Sequence, residues 1–296
     1  MFTCKVENAQ GQSLVLTGDE PRWQIFRING LNPPRAQVNL SEMAGLDGAW
    51  FNSSKLDTRN IVIYIKINGN AELNRITLYN YFRTKQKLTF YFSHSSRDVY
   101  IEGYCESVQV SPFDRSQVMQ ISILCPYPYF RSVGGDIVPY SNSLAMFEFP
   151  FSINGDDPIP FSETNEWDYV YVDNASDDDV GMKITIENNY ANDGLKFANT
   201  STGEYIQIDY SFQIGDLIQI NTITGHKDAV LYRNGQTIKL FPYIAIGSTF
   251  LQLHPGVNVL KGYDKNYGSY GDIYMSDILQ GRYTISFAFD DIFRGV

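Results

Sequence analysis

The nine residues Arg59–Ile67 read RNIVIYIKI, with isoleucine at 61, 63, 65 and 67 and Val62, Tyr64 and Lys66 between them. A side-chain period of two puts all four isoleucines on one face, which specifies a strand with one buried side and excludes a helix. Weaker versions of this pattern recur along the chain. Residues 2–18 alternate about a Gly-containing turn and read as a hairpin, and residues 23–28, 88–93, 97–104 and 117–125 read as strands. Only residues 71–82, AELNRITLYNYF, carry a helical period. Leu73, Ile76 and Tyr79, with Tyr81 or Phe82, form the stripe expected to face the core. Further on, short strands are expected at 168–172, 181–187, 195–199, 204–209, 216–221, 229–232, 249–253, 256–260 and 283–289. Gly, Asn and Asp turns separate them, as in a sandwich or jelly roll. The chain is therefore expected to be mainly β.

One stretch breaks this regularity. Residues 28–60 contain two adjacent prolines, Pro33 and Pro34, glycines at 30, 45 and 48, and the pair Trp50–Phe51, and they read as a long irregular segment. A loop of that length inside a compact domain is either functional or disordered, and the aromatic residues argue for function. The segment is read as an arm that packs on a neighbouring subunit. Pro33, Pro34, Trp50, Phe51 and Arg59 are its candidate interface residues, because interface cores favour aromatic and arginine anchors. The plainer alternatives are that Trp50 and Phe51 fold back into their own domain, that the prolines stiffen a loop, and that Arg59 merely flanks a strand.

Charge divides the chain. Residues 1–130 hold 13 Lys and Arg against 11 Asp and Glu, whereas the remainder holds 10 against 22. The change coincides with the Pro126, Pro128 and Gly134–Gly135 punctuation, which places a domain boundary at 135/136. The acidic second half lacks the basic face that phosphate binding requires, so nucleic-acid recognition is not expected. With 43% hydrophobic residues, global disorder is excluded. No apolar run reaches the eighteen residues of a membrane span, and MFTCKVENAQ has no secretory signal pattern. Cys4, Cys105 and Cys125 are odd in number and none stands in a CxxC pair, which reads as reduced thiols in a protein made in a cytoplasm.

His94, His226 and His254 are far apart in sequence and none belongs to HExxH. GxSxG, the P-loop and GxGxxG are all lacking. Asp177, Asp178 and Asp179 could hold calcium, but the EF-hand requires Gly at its sixth position, where this chain has Met182. A solvated loop is the simpler reading. No enzyme activity, metal or cofactor is expected. Trp167, Tyr169, Tyr267 and Tyr270 could stack on sugar rings or form a partner surface.

The order FRINGLNPP, Gly45–Leu46–Asp47–Gly48, Arg59–Asn60, RITLYNYF and CPYPYF, across residues 1–130, resembles the distal tail proteins of long-tailed bacteriophages, the siphovirus tail component family. The second half is similar, more loosely, to that family's C-terminal galectin-like sandwich through Gly203–Glu204–Tyr205–Ile206, GDLIQINTITG, Asn234–Gly235 and LHPGVNVL. The resemblance implies a ring-forming N-terminal domain, residues 1–135, built as a β-sandwich or barrel with one helix and a long arm. It implies a galectin-like jelly roll at residues 136–296. It further implies a structural protein of the virion tail tip, a homo-hexameric ring that contacts the tail-tube protein on one face and hub, fibre or receptor-binding proteins on the other. The alternative is a carbohydrate-binding module that recognises host glycans with the second domain.

Overall fold

The computed structural model describes residues 2–17, 21–45, 47–114, 116–140, 143–145, 162–164, 169–267, 270–273 and 281–296. They form two compact units, one of residues 1–133 with 292–296 and the other of residues 134–291. The sequence reading assigns everything after 135 to the second domain. The last five residues instead return to the first unit, because Phe293 pairs with Phe130 and Ile292 with Arg131 across two short strands.

The first unit contains β1 (Thr3–Asn8), β2 (Ser13–Val15), β3 (Trp23–Asn29), β4 (Ala36–Glu42), β5 (Ala49–Leu56), β6 (Arg59–Ile67), α1 (Ala71–Tyr81), β7 (Lys87–His94), β8 (Arg97–Gln109), β9 (Val118–Cys125) and β10 (Phe130–Ser132). Its main sheet is antiparallel throughout and runs β2-β1-β7-β8-β9-β6-β3. The long strand β8 carries β7 along one edge and β9 then β10 along the other, with a bulge between Cys105 and Ser107. Ile61, Ile63 and Ile65 are fully buried, as their alternation requires, and share a core with Trp23, Phe90, Phe92, Ile121 and Phe130.

Helix α1 forms where its period predicts, and Phe82 of the expected stripe is buried, but the rest of that stripe turns outward. Leu73 is 62% exposed, and Ile76 and Tyr79 are exposed with it, while Asn74, Leu78 and Phe82 face the core. Two stripes fit the same 3.6-residue period, and the polar groups decide between them. Asn74 Nδ2 donates to the Asn68 carbonyl at 2.7 Å, and the Tyr81 hydroxyl donates to the Val6 and Gln12 carbonyls. These bonds fix the helix rotation, and Leu78 and Phe82 then fill the space above the sheet.

The second unit contains β11 (Asp136–Pro139), β12 (Ser143–Ala145), β13 (Ser162–Thr164), β14 (Tyr169–Asn174), β15 (Val180–Gly181), β16 (Lys183–Asn188), β17 (Leu195–Asn199), β18 (Glu204–Ile208), β19 (Asp216–Asn221), β20 (Asp228–Arg233), β21 (Gln236–Lys239), β22 (Gln252–Leu253), β23 (Gly256–Asp264), β24 (Gly271–Asp272) and β25 (Tyr283–Phe289). The remaining strand, β26 (Ile292–Phe293), is the one returned to the first unit. One sheet runs β11-β25-β16-β19-β20-β21 and another β14-β23-β17-β18, with β24 beside β23. Strands β14, β16, β19, β23 and β25 alternate, and Ile184, Ile186, Ile218, Ile220 and Phe287 of the first sheet and Val170, Val172, Phe197, Ile206 and Leu260 of the second are buried. That is the inner pattern of a sandwich. Polar side chains join the layers: the Tyr283 hydroxyl donates to Asp264 at 2.5 Å and accepts from Asn192 Nδ2 at 3.2 Å. The strand expected over 249–253 shortens to Gln252–Leu253.

Candidate functional site

The arm is a β-hairpin, where the sequence reading expects an irregular segment. Strands β4 and β5 pair antiparallel from Ala36↔Leu56 to Glu42↔Ala49, with a bulge between Asn39 and Leu40. Every described residue from Ala36 to Lys55 is exposed, so the hairpin gives nothing to the core of its own unit.

Directly opposed residues of an antiparallel pair share a face. The register therefore gathers Ala36, Val38, Leu40, Glu42, Ala49, Phe51, Ser54 and Leu56 on one side, apolar except for Glu42 and Ser54. Gln37, Asn39, Ser41, Ser53, Lys55 and Trp50 lie on the other. The polar side is internally bonded: Asn39 Nδ2 donates to Ser53 Oγ at 3.0 Å, and the bulge residue Asn52 donates through Nδ2 to Ser41 Oγ at 2.6 Å. The apolar side is open, with Val38 50% exposed, Leu40 57% and Phe51 64%. A lone two-stranded ribbon is at best marginally stable in water, and an uncovered apolar face adds to the cost. Met43, Asp47, Gly48, Ala49 and Trp50 line a recess at its tip.

The hairpin's root is as ordered as its tip is open. Asp57 N–H donates to the Arg35 carbonyl at 3.0 Å and closes the base. Gly30 turns the chain outward at φ +91°, with its Cα so close to β6 that a Cβ would lie 2.2 Å from the Asn60 carbonyl oxygen. No other residue fits there. Pro33 is exposed and Pro34 half-buried.

Arg59 differs from expectation. It is 3% exposed, and its guanidinium points inward. Nε donates to the Pro128 carbonyl at 2.7 Å, Nη1 to the Gly30 and Asn32 carbonyls at 2.5 and 2.7 Å, and Nη2 to the Arg294 carbonyl at 2.6 Å. Its plane lies 4.4 Å over the Phe130 ring. Burial lowers its pKa, opposed by the neighbouring Cys125, yet a guanidinium stays charged at neutral pH. Arg59 thus works inside the chain, behind the arm, rather than on an exposed interface.

The candidate aromatic surface of the second unit is arranged otherwise than the sequence suggests. Trp167 lies outside the described residues. Tyr270 gives its hydroxyl to Asp209, and Tyr267 accepts from Arg282 Nη1 at 2.7 Å, so both hydroxyls serve the fold. Tyr169 stays on an outer sheet face with Tyr171, their rings 5.3 Å apart. The same sheet carries a row in which Lys196 Nζ sits 4.4 Å from the Tyr205 ring and 5.3 Å from that of Tyr263; Lys196 and Tyr205 are not among the residues singled out from the sequence. Lys261, opposite Tyr169, binds Asp272 at 2.8 Å. Only the alternation with buried Phe197, Ile206 and Leu260 marks these residues as neighbours in the sequence.

The remaining chemical candidates are quiet. Burial pushes the Cys4 and Cys125 thiols up to about 12 and Cys105 up to about 11, which suppresses the nucleophilic thiolate. Asp179 pairs with His254 Nδ1 at 2.8 Å. Among the described residues no three His, Cys, Asp or Glu side chains gather closely enough to hold a metal ion, and no helix is long and apolar enough to cross a membrane.

Comparison with known proteins agrees with this architecture. Residues 11–125 match the phage tail protein RIFT-related domain, and residues 175–270 match the siphovirus-type tail component, C-terminal domain. The crystal structure of the Dit protein of phage SPP1, described as a paradigm of hub adsorption apparatus in phages that infect Gram-positive bacteria, superposes with a TM-score of 0.66. It is 15% identical and covers 99% of both chains. A chain of the phage P2 baseplate, in its activated conformation with calcium, reaches a TM-score of 0.45 at 12% identity over 98% of each chain. No curated protein matches the sequence. The two family matches fall one in each unit and between them take in most of the chain, which belongs to the siphophage distal tail protein family.

Proposed function

We propose that this protein is a structural component of a phage tail tip, in which the first units of six copies close into a ring. On this reading the ring joins the last tail-tube ring to hub, fibre or receptor-binding proteins, and the second unit faces outward. The protein is not an enzyme. The observation that carries the reading is the hairpin arm, a ribbon that leaves its own core, keeps an apolar face bare and is anchored at its root. A surface of that kind is stabilised by burial against a neighbour. A head-to-tail contact of one copy's arm on the next leaves no unpaired edge once the ring closes. The second unit carries the chain's acidic excess, which suits a solvated outer position.

Light scattering over a range of concentrations tests this reading. The expected result is a closed oligomer, or a smaller species growing toward one, that the double substitution Leu40→Ser and Phe51→Ser returns to monomer. Association of the doubly substituted chain at unchanged strength would overturn the arm's role.

A second reading, recognition of surface glycans, is supported by Tyr171, exposed beside Tyr169 on the sheet that also carries the half-buried Tyr205, Lys196 and Tyr263 row, since sugar rings stack on exposed aromatic faces. A glycan array with Tyr171→Ala and Tyr263→Ala as controls separates the two: binding that these changes abolish supports it, and an empty array removes it.

A further inference from the structure

Arg59 gathers backbone carbonyls from three segments that are remote in sequence: the arm's leading strand exit at Gly30 and Asn32, the Pro128 loop, and Arg294 in the returning terminal peptide. An interior arginine ordinarily meets a carboxylate, which takes the fork in one bidentate contact. Here four neutral acceptors replace it, so the charge is satisfied only while all three segments stay in place. The returning peptide touches the arm directly as well. Val296 N–H donates to the Leu31 carbonyl at 3.2 Å, and the Gly295 backbone lies so close that a Cβ there would meet the Leu31 oxygen at 3.3 Å and Pro33 Cδ at 3.4 Å. Arg97 reaches the Gly295 carbonyl from the sheet side at 3.3 Å and stacks 4.2 Å over Phe293. The arm's root is therefore held between its own sheet and a peptide that the chain supplies only after completing the second unit.

We infer that Arg59 is a positioning residue, a latch that fixes the pose of the arm by binding its root to the returning peptide 292–296. The arm cannot take its final direction until the chain has passed through the second unit and come back. An incomplete chain would keep the first unit's sheet and present a loose arm. The inference rests on the assembly reading only for what the arm grips, because the latch is a property of one chain.

Hydrogen exchange on the full-length protein, at a concentration where it is monomeric, tests the latch. Two variants are compared with the parent, Arg59→Lys and a chain ending at Phe293. Lysine keeps the charge but cannot fork to four carbonyls. The shortened chain keeps Arg59 and removes one acceptor, so it remains informative if the arginine variant fails to fold. In both, the amides of Leu31, Asn32 and Arg35 and those at 54–58 should exchange at least about tenfold faster, the effect of losing one charge-assisted bond, while β7, β8 and β9 stay protected. Unchanged exchange at the arm root in the shortened chain overturns the latch. Faster exchange there, in a parent that never associates, upholds the latch and counts against the ring instead.

Discussion

Leu40 and Phe51 face each other across the two strands of the arm, immediately past the bulge between Asn39 and Leu40, and both point to solvent. The bulge inserts Asn52 and so sets which side of the ribbon Phe51 takes, with Trp50 left among the polar side chains. An apolar pair held open in this way is the part of the molecule with most to gain from a second copy. Burying one such side chain is worth about 1.5–3 kcal/mol, so Phe51→Ser alone should weaken association by about ten- to a hundredfold per contact. Sedimentation equilibrium reads the change. At a concentration where both proteins are monomeric, the thermal unfolding of the first unit should not move, because neither residue touches its core.

The helix gives a prediction opposite to the one its sequence suggests. Leu78 is fully buried above the sheet, whereas Leu73 is 62% exposed. Leu78→Ala should destabilise the first unit by about 2–5 kcal/mol, and Leu73→Ala should stay within about 0.5 kcal/mol of the parent. Chemical denaturation followed by tyrosine and tryptophan fluorescence distinguishes them. Equal losses would mean that Leu73 is covered in solution.

Much of the scaffold could be read before the fold was seen, and the reason is burial on one face. Where a strand hides one side, as in Arg59–Ile67 or Tyr283–Phe289, the alternation prints itself on the sequence. The hairpin Ala36–Leu56 hides neither side, so Val38 and Leu40 stand among polar residues without a buried rhythm to announce them. The rotation of α1 was hidden for another reason. Leu73, Ile76 and Tyr79 and the set Asn74, Leu78 and Phe82 have the same period, and the choice depends on hydrogen bonds to Asn68, Val6 and Gln12. Least legible was the work of Arg59. Its acceptors are main-chain carbonyls, which leave no residue signature, and one lies 235 positions away.

The three thiols should behave as core atoms. With pKa values pushed by burial to about 12, 11 and 12, Cys4, Cys105 and Cys125 hold almost no thiolate at pH 8. Against an ordinary thiol near 8.5, that is a deficit of about two to three orders of magnitude in the reactive form, before access is counted. A chromogenic disulfide reagent should label none of them in the native protein within minutes, and all three after denaturation. Rapid native labelling of Cys105, where the β8 bulge lies, would show that the edge of the first core opens.

Acid should loosen the second unit in part through the ion pair of Asp216 and Arg233. Arg233 grips Asp216 in a two-point contact, Nε to Oδ1 at 2.8 Å and Nη2 to Oδ2 at 2.6 Å, while Gln213 N–H adds a third bond at 2.7 Å. Burial by itself would raise the Asp216 pKa, but these donors outweigh it and hold the carboxyl below its ordinary value. A carboxylate depressed in the folded state contributes stability above its unfolded pKa, about 3.9, and loses it as pH falls through the folded value. Arg233→Met, which strands the carboxylate and leaves the effect of burial unopposed by the guanidinium, should cost the second unit about 3 kcal/mol at pH 7, with the deficit shrinking as pH falls and the stranded carboxyl takes up its proton before the parent's does. Asp291, raised by burial, titrates with the opposite sign, but it is present in both proteins and cancels in the difference. Calorimetry of parent and variant from pH 7 to pH 3 gives the curve, and a deficit that stayed constant across that range would mean that Arg233 holds the sheet by packing over Tyr210 rather than by its charge.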